Sequence, residues 1–254
     1  MKKKVLIVLS VLLAAGVLYV GDMFLGNPVS RLLVKVHSEK YIRETYPQEL
    51  HLKMSEIYYD WYSGGAYEID VRSPVSGDTE FTLHYDRLGR LTQDTYEMYV
   101  ASGNATLVRL MEAYDAQVSR ALAGLWDNVT VISGLSSLSP YNGEPVPLDI
   151  GIDPAQLVLD GEYDASQLGN VYGYLDINIY EPTKPITVET VAEYLGELKD
   201  AMEEAGVGFV ELEVFLIREN TKVPEESLYL EKVTREDLDA EELPKVLANK
   251  VIKE

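Results

Sequence analysis

A chain of 254 residues with 46% hydrophobic and 25% charged residues has the make-up of a globular protein, with room for one large or two small cores. Its net charge of −20 excludes a nucleic-acid binder, because phosphate contacts need clustered Lys and Arg. It has no cysteine, which excludes disulfides, thiolate metal sites and a thioether-linked lipid anchor.

The first element is Val5–Gly21, which has no charge and is preceded by Lys2, Lys3 and Lys4. At about 1.5 Å per residue its 17 residues reach ~26 Å as a helix, close to a ~30 Å hydrocarbon core. Asp22 interrupts the run, Met23, Phe24 and Leu25 resume it, and Tyr19 suits the headgroup level. The reading is a single-pass membrane anchor through residues 5–21. The lysines hold the N-terminus in the cytoplasm and the body is extracytoplasmic. Arg31, Lys35 and Lys40 on the other flank reduce that asymmetry. The competing reading is a signal peptide cleaved near Ala14-Ala15-Gly16, although the run stays apolar through Val17–Val20.

Residues 26–102 read as a first α+β domain. Asn27 and Pro28 suit the N-cap and first position of a helix carrying Leu32, Leu33, Val36, Tyr41 and Ile42, which Pro47 ends. Leu50, Leu52 and Met54 alternate with polar residues. The run Ile57–Tyr62 follows, with a turn at Ser63-Gly64-Gly65. Tyr67, Ile69 and Val71 alternate with Glu68, Asp70 and Arg72, a half-buried strand. Phe81, Leu83 and Tyr85 repeat the pattern, and a turn at Gly89 leads into Leu91–Tyr96.

Residues 103–254 read as a second α+β domain. Asn104 caps a helix over Ala105–Ala123, and Asn128–Ser133 is strand-like. Ser133–Pro147 is loop. A strand runs through Tyr172–Tyr180, with Tyr174, Asp176, Asn178 and Tyr180 on its wet face. Thr187 caps a helix ending at Gly206, with Val191, Tyr194, Leu195, Leu198 and Met202 as its buried stripe. Val207–Ile217 and Leu228–Val233 are strands. Thr234-Arg235-Glu236-Asp237 opens a last helix with a capping box, broken or restarted at Pro244. Half-exposed strands favour two antiparallel sheets covered by helices over a doubly wound parallel sheet.

Chemistry is thinly signalled. His37, His51 and His84 have no metal-ligand spacing. Asp149, Asp153, Asp160, Glu162 and Asp164 form an oxygen-rich stretch that calcium would favour, but it lacks EF-hand spacing and reads as a solvated acidic loop. No cofactor motif is present. The aromatic run is the best binding candidate. On a continuous strand Tyr59 and Trp61 share one face, and Tyr58 and Tyr62 the other. One face is core; the other reads either as further packing at the sheet edge or as an exposed aromatic patch that binds a partner or ligand.

Gly26-Asn27-Pro28-Val29-Ser30, Tyr41 with Tyr46-Pro47, Tyr67, Val71-Arg72-Ser73-Pro74, Asp78-Thr79 with Phe81, and Asp94-Thr95-Tyr96 occur in an order that resembles the YfjL-like proteins of Gram-positive bacteria. The resemblance covers the anchor and first domain, and the second domain by overall pattern. It implies a membrane-anchored protein of this layout and carries over no catalytic residue. The layout of residues 27–97 is also similar to PepSY and cystatin-like domains. The expectation is a non-enzymatic, membrane-anchored extracytoplasmic binding module, with Tyr59 and Trp61 as binding residues and another envelope protein as partner. The alternatives are a carboxylate-dependent hydrolase and a PepSY-like inhibitor or chaperone of an exported protease.

Overall fold

The computed structural model describes residues 13, 16, 20, 21, 26–62, 65–127, 129–137, 151–180, 184–218 and 226–252. The anchor expected at Val5–Gly21 lies outside the described residues, apart from isolated positions. Among the described residues no helix is long and apolar enough to cross a membrane. The chain divides into two units, Met1–Ala105 with Val158–Asp160, and Thr106–Leu157 with Gly161–Glu254.

In the first unit, Asn27 starts helix α1 (Pro28–Thr45). Its side-chain oxygen accepts the Val29 N–H at 2.8 Å, and Pro28 supplies the fixed φ of the first turn. Strands β1 (Lys53–Met54), β2 (Tyr58–Asp60), β3 (Ala66–Arg72), β4 (Glu80–Tyr85) and β5 (Leu91–Asp94) follow. All their pairings are antiparallel, in the order β1-β3-β4-β5 with β2 also on β3. Alternation works as expected: Tyr67, Ile69 and Val71 of β3 face Phe81, Leu83 and Tyr85 of β4 in one core with Val34. Leu50 differs from its expected alternation, because Gln48–Leu50 forms a 3-10 turn instead of strand. The buried line of α1 also differs. Ser30, Val34 and Ser38 are buried, while Val29, Leu32, Leu33 and Val36 are exposed.

The second unit has helices α2 (Asn104–Ala121), α3 (Ala165–Tyr172) and α4 (Val188–Ala205), and strands β6 (Val129–Leu135), β7 (Gly173–Tyr180), β8 (Glu211–Arg218) and β9 (Glu226–Thr234). It closes with α5 (Arg235–Leu238) and α6 (Leu243–Ala248). The sheet order is β6-β7-β8-β9. Here the expectation of a wholly antiparallel sheet is corrected, because β7 and β8 pair in parallel. The intervening α4 carries the chain back to the starting edge of β7, so β8 enters in the same direction. Thr187 accepts the Thr190 N–H at 3.2 Å to start α4, and Gly206, at φ +67, ends it in a conformation only glycine adopts without strain. Val191, Leu195, Leu198 and Met202 share one core with Leu175, Ile177 and Ile179 of β7 and Leu212, Val214 and Leu216 of β8. Each such side chain contributes roughly 1.5–3 kcal/mol by leaving water.

Candidate functional site

Tyr59 and Trp61 do not share a strand face. The strand β2 ends at Asp60, whose Oδ1 accepts the Tyr62 N–H at 2.9 Å and turns the chain there. Tyr59 is core, 6% exposed, with its ring 5.0 Å from that of Tyr67. Its hydroxyl accepts from the Arg87 guanidinium at 2.8 Å. Trp61 and Tyr62 lie outside at the turn, 39% and 80% exposed, with ring centroids 3.7 Å apart. Tyr58 is also exposed. The expected alternation needed a strand continuing to residue 62, and the turn removes it.

The base of this hairpin also receives the chain that follows the apolar N-terminal run. Gly26 has φ +73, and a Cβ there would lie 2.9 Å from Tyr59 Cγ and 3.0 Å from Tyr67 Oη. Only glycine combines that φ with that approach. The Asn27 N–H donates to Tyr67 Oη at 2.8 Å, so Gly26-Asn27 is fixed against β2 and β3.

A second constellation was not anticipated from the sequence. Asp94, at the end of β5, gathers three donors: Tyr41 Oη donates to its Oδ2 at 2.7 Å, Tyr46 Oη donates to the same oxygen, and the Tyr96 N–H donates to Oδ1 at 2.9 Å. The Tyr46 ring lies 5.0 Å from Phe81 and 4.9 Å from Tyr96. Burial, then the bond to Asp94 and its charge, holds the Tyr41 and Tyr46 phenols above their ordinary 10.0. Burial, then the charges of Tyr41 and Asp94, pushes Tyr85 up to about 12. These phenols therefore stay protonated near neutral pH, and those of Tyr41 and Tyr46 donate to Asp94. The Tyr85 hydroxyl is buried with no hydrogen-bond partner among the described residues. Open clefts of about 260 Å³ beside Tyr41 and Tyr85 and about 290 Å³ beside Tyr46 flank the cluster.

The remaining candidates are placed as follows. His37 Nδ1 is hydrogen-bonded to the Gly89 carbonyl, His84 Nδ1 is 3.2 Å from Glu68, and His51 ends the 3-10 turn at φ +48. In the acidic stretch, Asp149 lies outside the described residues. Asp153 Oδ1 caps a 3-10 turn by accepting the Ala155 N–H at 3.0 Å, and Asp164 Oδ1 caps α3 by accepting the Ser166 N–H at 2.9 Å. Asp160 and Asp78 each accept the other's backbone N–H, at 3.0 and 2.9 Å. These carboxylates serve as local caps and clasps. Among the described residues no group of three or more His, Asp or Glu is placed to hold a metal ion.

Residues 1–95 match the family model of the YfjL-like N-terminal domain, and residues 130–248 match that of the YfjL-like C-terminal domain. No curated protein and no solved structure matches the chain.

Proposed function

The chain belongs to the YfjL-like family, and from that premise we propose a single-pass, membrane-anchored extracytoplasmic interaction module that captures another envelope protein without catalysing a reaction. The observation that carries this reading is the Trp61–Tyr62 pair, two exposed rings held together on a hairpin turn. Rigid aromatic side chains that stay in water in the free protein are the residues from which interface anchors are built, and an anchor of this kind is worth about 2 kcal/mol or more. The turn is held by Asp60, and the strand behind it by the buried Tyr59 and its bond from Arg87, so the rings sit on a preorganised support. Tyr59 thus acts by positioning and Trp61, with Tyr62, by contact. The Tyr41–Tyr46–Asp94 cluster supports a structural role for the buried polar groups, since each donates or accepts within it.

The test is cross-linked capture of tagged full-length protein from detergent-solubilised membranes. Wild type recovers a partner that the double variant Trp61→Ala, Tyr62→Ala binds at least thirtyfold more weakly, as ~2 kcal/mol requires. Equal recovery by both refutes the aromatic tip as the contact. The anchor is tested separately: the intact chain stays in the membrane pellet after alkaline carbonate, and recovery in the supernatant refutes it. The layout of α1 against an antiparallel sheet supports one second reading, a PepSY-like inhibitor, which co-purification of an exported protease distinguishes.

A further inference from the structure

Helix α1 carries two lines of side chains. One, Ser30, Val34 and Ser38, is buried. The other, Val29, Leu32, Leu33 and Val36, has the i, i+3, i+4, i+7 spacing of a single apolar stripe. These four are 64%, 62%, 38% and 53% exposed. At 100° per residue, Val29, Leu32 and Val36 fall on the side of the helix opposite Val34. Four apolar side chains that line up outward over the first turns of a surface helix are unusual and call for a cover.

Position in the chain identifies the cover. The stripe begins at Val29, four residues after Leu25, the last residue of the apolar N-terminal stretch. Four residues span at most about 14 Å, so Val29 cannot leave the neighbourhood of the point where that stretch ends. The path between them is fixed further by Gly26 and Asn27, which are packed and hydrogen-bonded against Tyr59 and Tyr67. Charge agrees. Arg31 and Lys35 lie on the same two turns as the stripe, and α1 has no acidic residue before Glu39, in a chain whose net charge is −20. A helix with apolar residues on one side and only cations on the flank is the pattern that settles into an anionic headgroup layer.

We propose that the first two turns of α1 lie in the headgroup region of the bilayer, with Val29, Leu32, Leu33 and Val36 directed to the acyl boundary and Arg31 and Lys35 to lipid phosphates. The proposal rests on the anchored reading above and specifies how the first unit is held where the chain emerges from the anchor. A second copy of the chain or a partner protein would account for the stripe, but not for its place directly after the anchor or for its basic flank.

The absence of cysteine makes the test direct. Single variants Leu32→Cys, Val36→Cys and, as a control on α1 beyond the stripe, Glu39→Cys are labelled with an environment-sensitive fluorophore in the full chain. They are reconstituted into vesicles of phosphatidylglycerol and phosphatidylethanolamine. Labels at 32 and 36 shift to the blue and are quenched by lipids carrying a doxyl group near the headgroup, while the label at 39 keeps its aqueous emission and is quenched far less. If the protein resists carbonate extraction but labels at 32 and 36 stay aqueous, the anchor stands and the interfacial helix is refuted. If those labels are shielded yet insensitive to doxyl lipid, protein covers the stripe and the proposal is equally refuted. Release by carbonate overturns the anchor and this proposal together.

Discussion

Replacing Tyr46 with Phe separates the two kinds of buried phenol in the first unit. The ring stays in its aromatic cluster, and only the hydroxyl that donates to Asp94 is lost. A hydrogen bond to a charged acceptor contributes roughly 1.5–3 kcal/mol. Asp94 retains the Tyr41 hydroxyl and the Tyr96 N–H, so it is not orphaned, and the lower part of that range applies, about 1.5–2 kcal/mol. Tyr85→Phe removes a hydroxyl of similar burial that makes no bond among the described residues. Its loss leaves stability unchanged or slightly raised, because an unsatisfied buried group is removed. Urea unfolding followed by Trp61 fluorescence, in a Trp126→Phe background, reports the first unit alone. With a slope of ~1–2 kcal/mol per molar, the Tyr46→Phe midpoint falls by about 1 M and the Tyr85→Phe midpoint does not fall. Equal losses in the two variants would refute the assignment of the stabilisation to Asp94.

Two further outcomes concern the second unit. Gly169→Ala places a Cβ 2.4 Å from Tyr114 Cε2 and 2.6 Å from the Gly208 carbonyl oxygen. Tyr114 is fully buried and tied to that same oxygen at 2.8 Å, so neither atom yields easily, and thermal unfolding by circular dichroism should show a loss of about 3 kcal/mol. Unchanged melting would contradict the packing. The carboxylate of Asp237 is opposed by burial, but the Thr234 N–H, Lys250 at 2.9 Å and the Thr234 hydroxyl outweigh that and hold its pKa below the ordinary 3.8. A depressed pKa gives stability that is complete above 3.8 and lost as pH falls through the lower folded value. Wild type should therefore exceed Asp237→Asn by about 1 kcal/mol at neutral pH. The gap should close in acid, and a gap that survives at pH 2 would contradict the capping-box assignment.

Most of the fold was legible where local chemistry is self-contained. Asn27-Pro28, Thr187, Gly206 and the Thr234–Asp237 box marked helix ends because each acts on backbone groups within a few residues. Helix α3 was hidden because Gly169 and Gly173, poor helix formers, are required by the distant ring of Tyr114. The parallel β7–β8 pair was hidden because alternation reports a wet face and not strand direction. Tyr174, Asp176 and Asn178 are half-buried as expected in either arrangement. The outward direction of the α1 stripe was hidden for a related reason. Periodicity locates an apolar face without saying what covers it, and the small Ser30 and Ser38 beside Val34 gave no competing signal. Of the candidate site, the aromatic run was visible, but its division at Asp60 into buried Tyr59 and exposed Trp61 depended on one side-chain bond. The Asp94 cluster joins residues 48 and 53 positions apart and had no local signature.

The reciprocal clasp between Asp78 and Asp160 bears on how the protein is born. Asp78 is 2% exposed, and the segment that completes its bonding lies far downstream, after the first stretch of the second unit, Thr106–Leu157. A ribosome adding ~5–20 residues per second needs several seconds to travel from Ala105 to Asp160. Until then the earlier globule waits with that aspartate's carboxylate and amide short of their final partner. A fragment cut at residue 105 would preserve that nascent condition permanently.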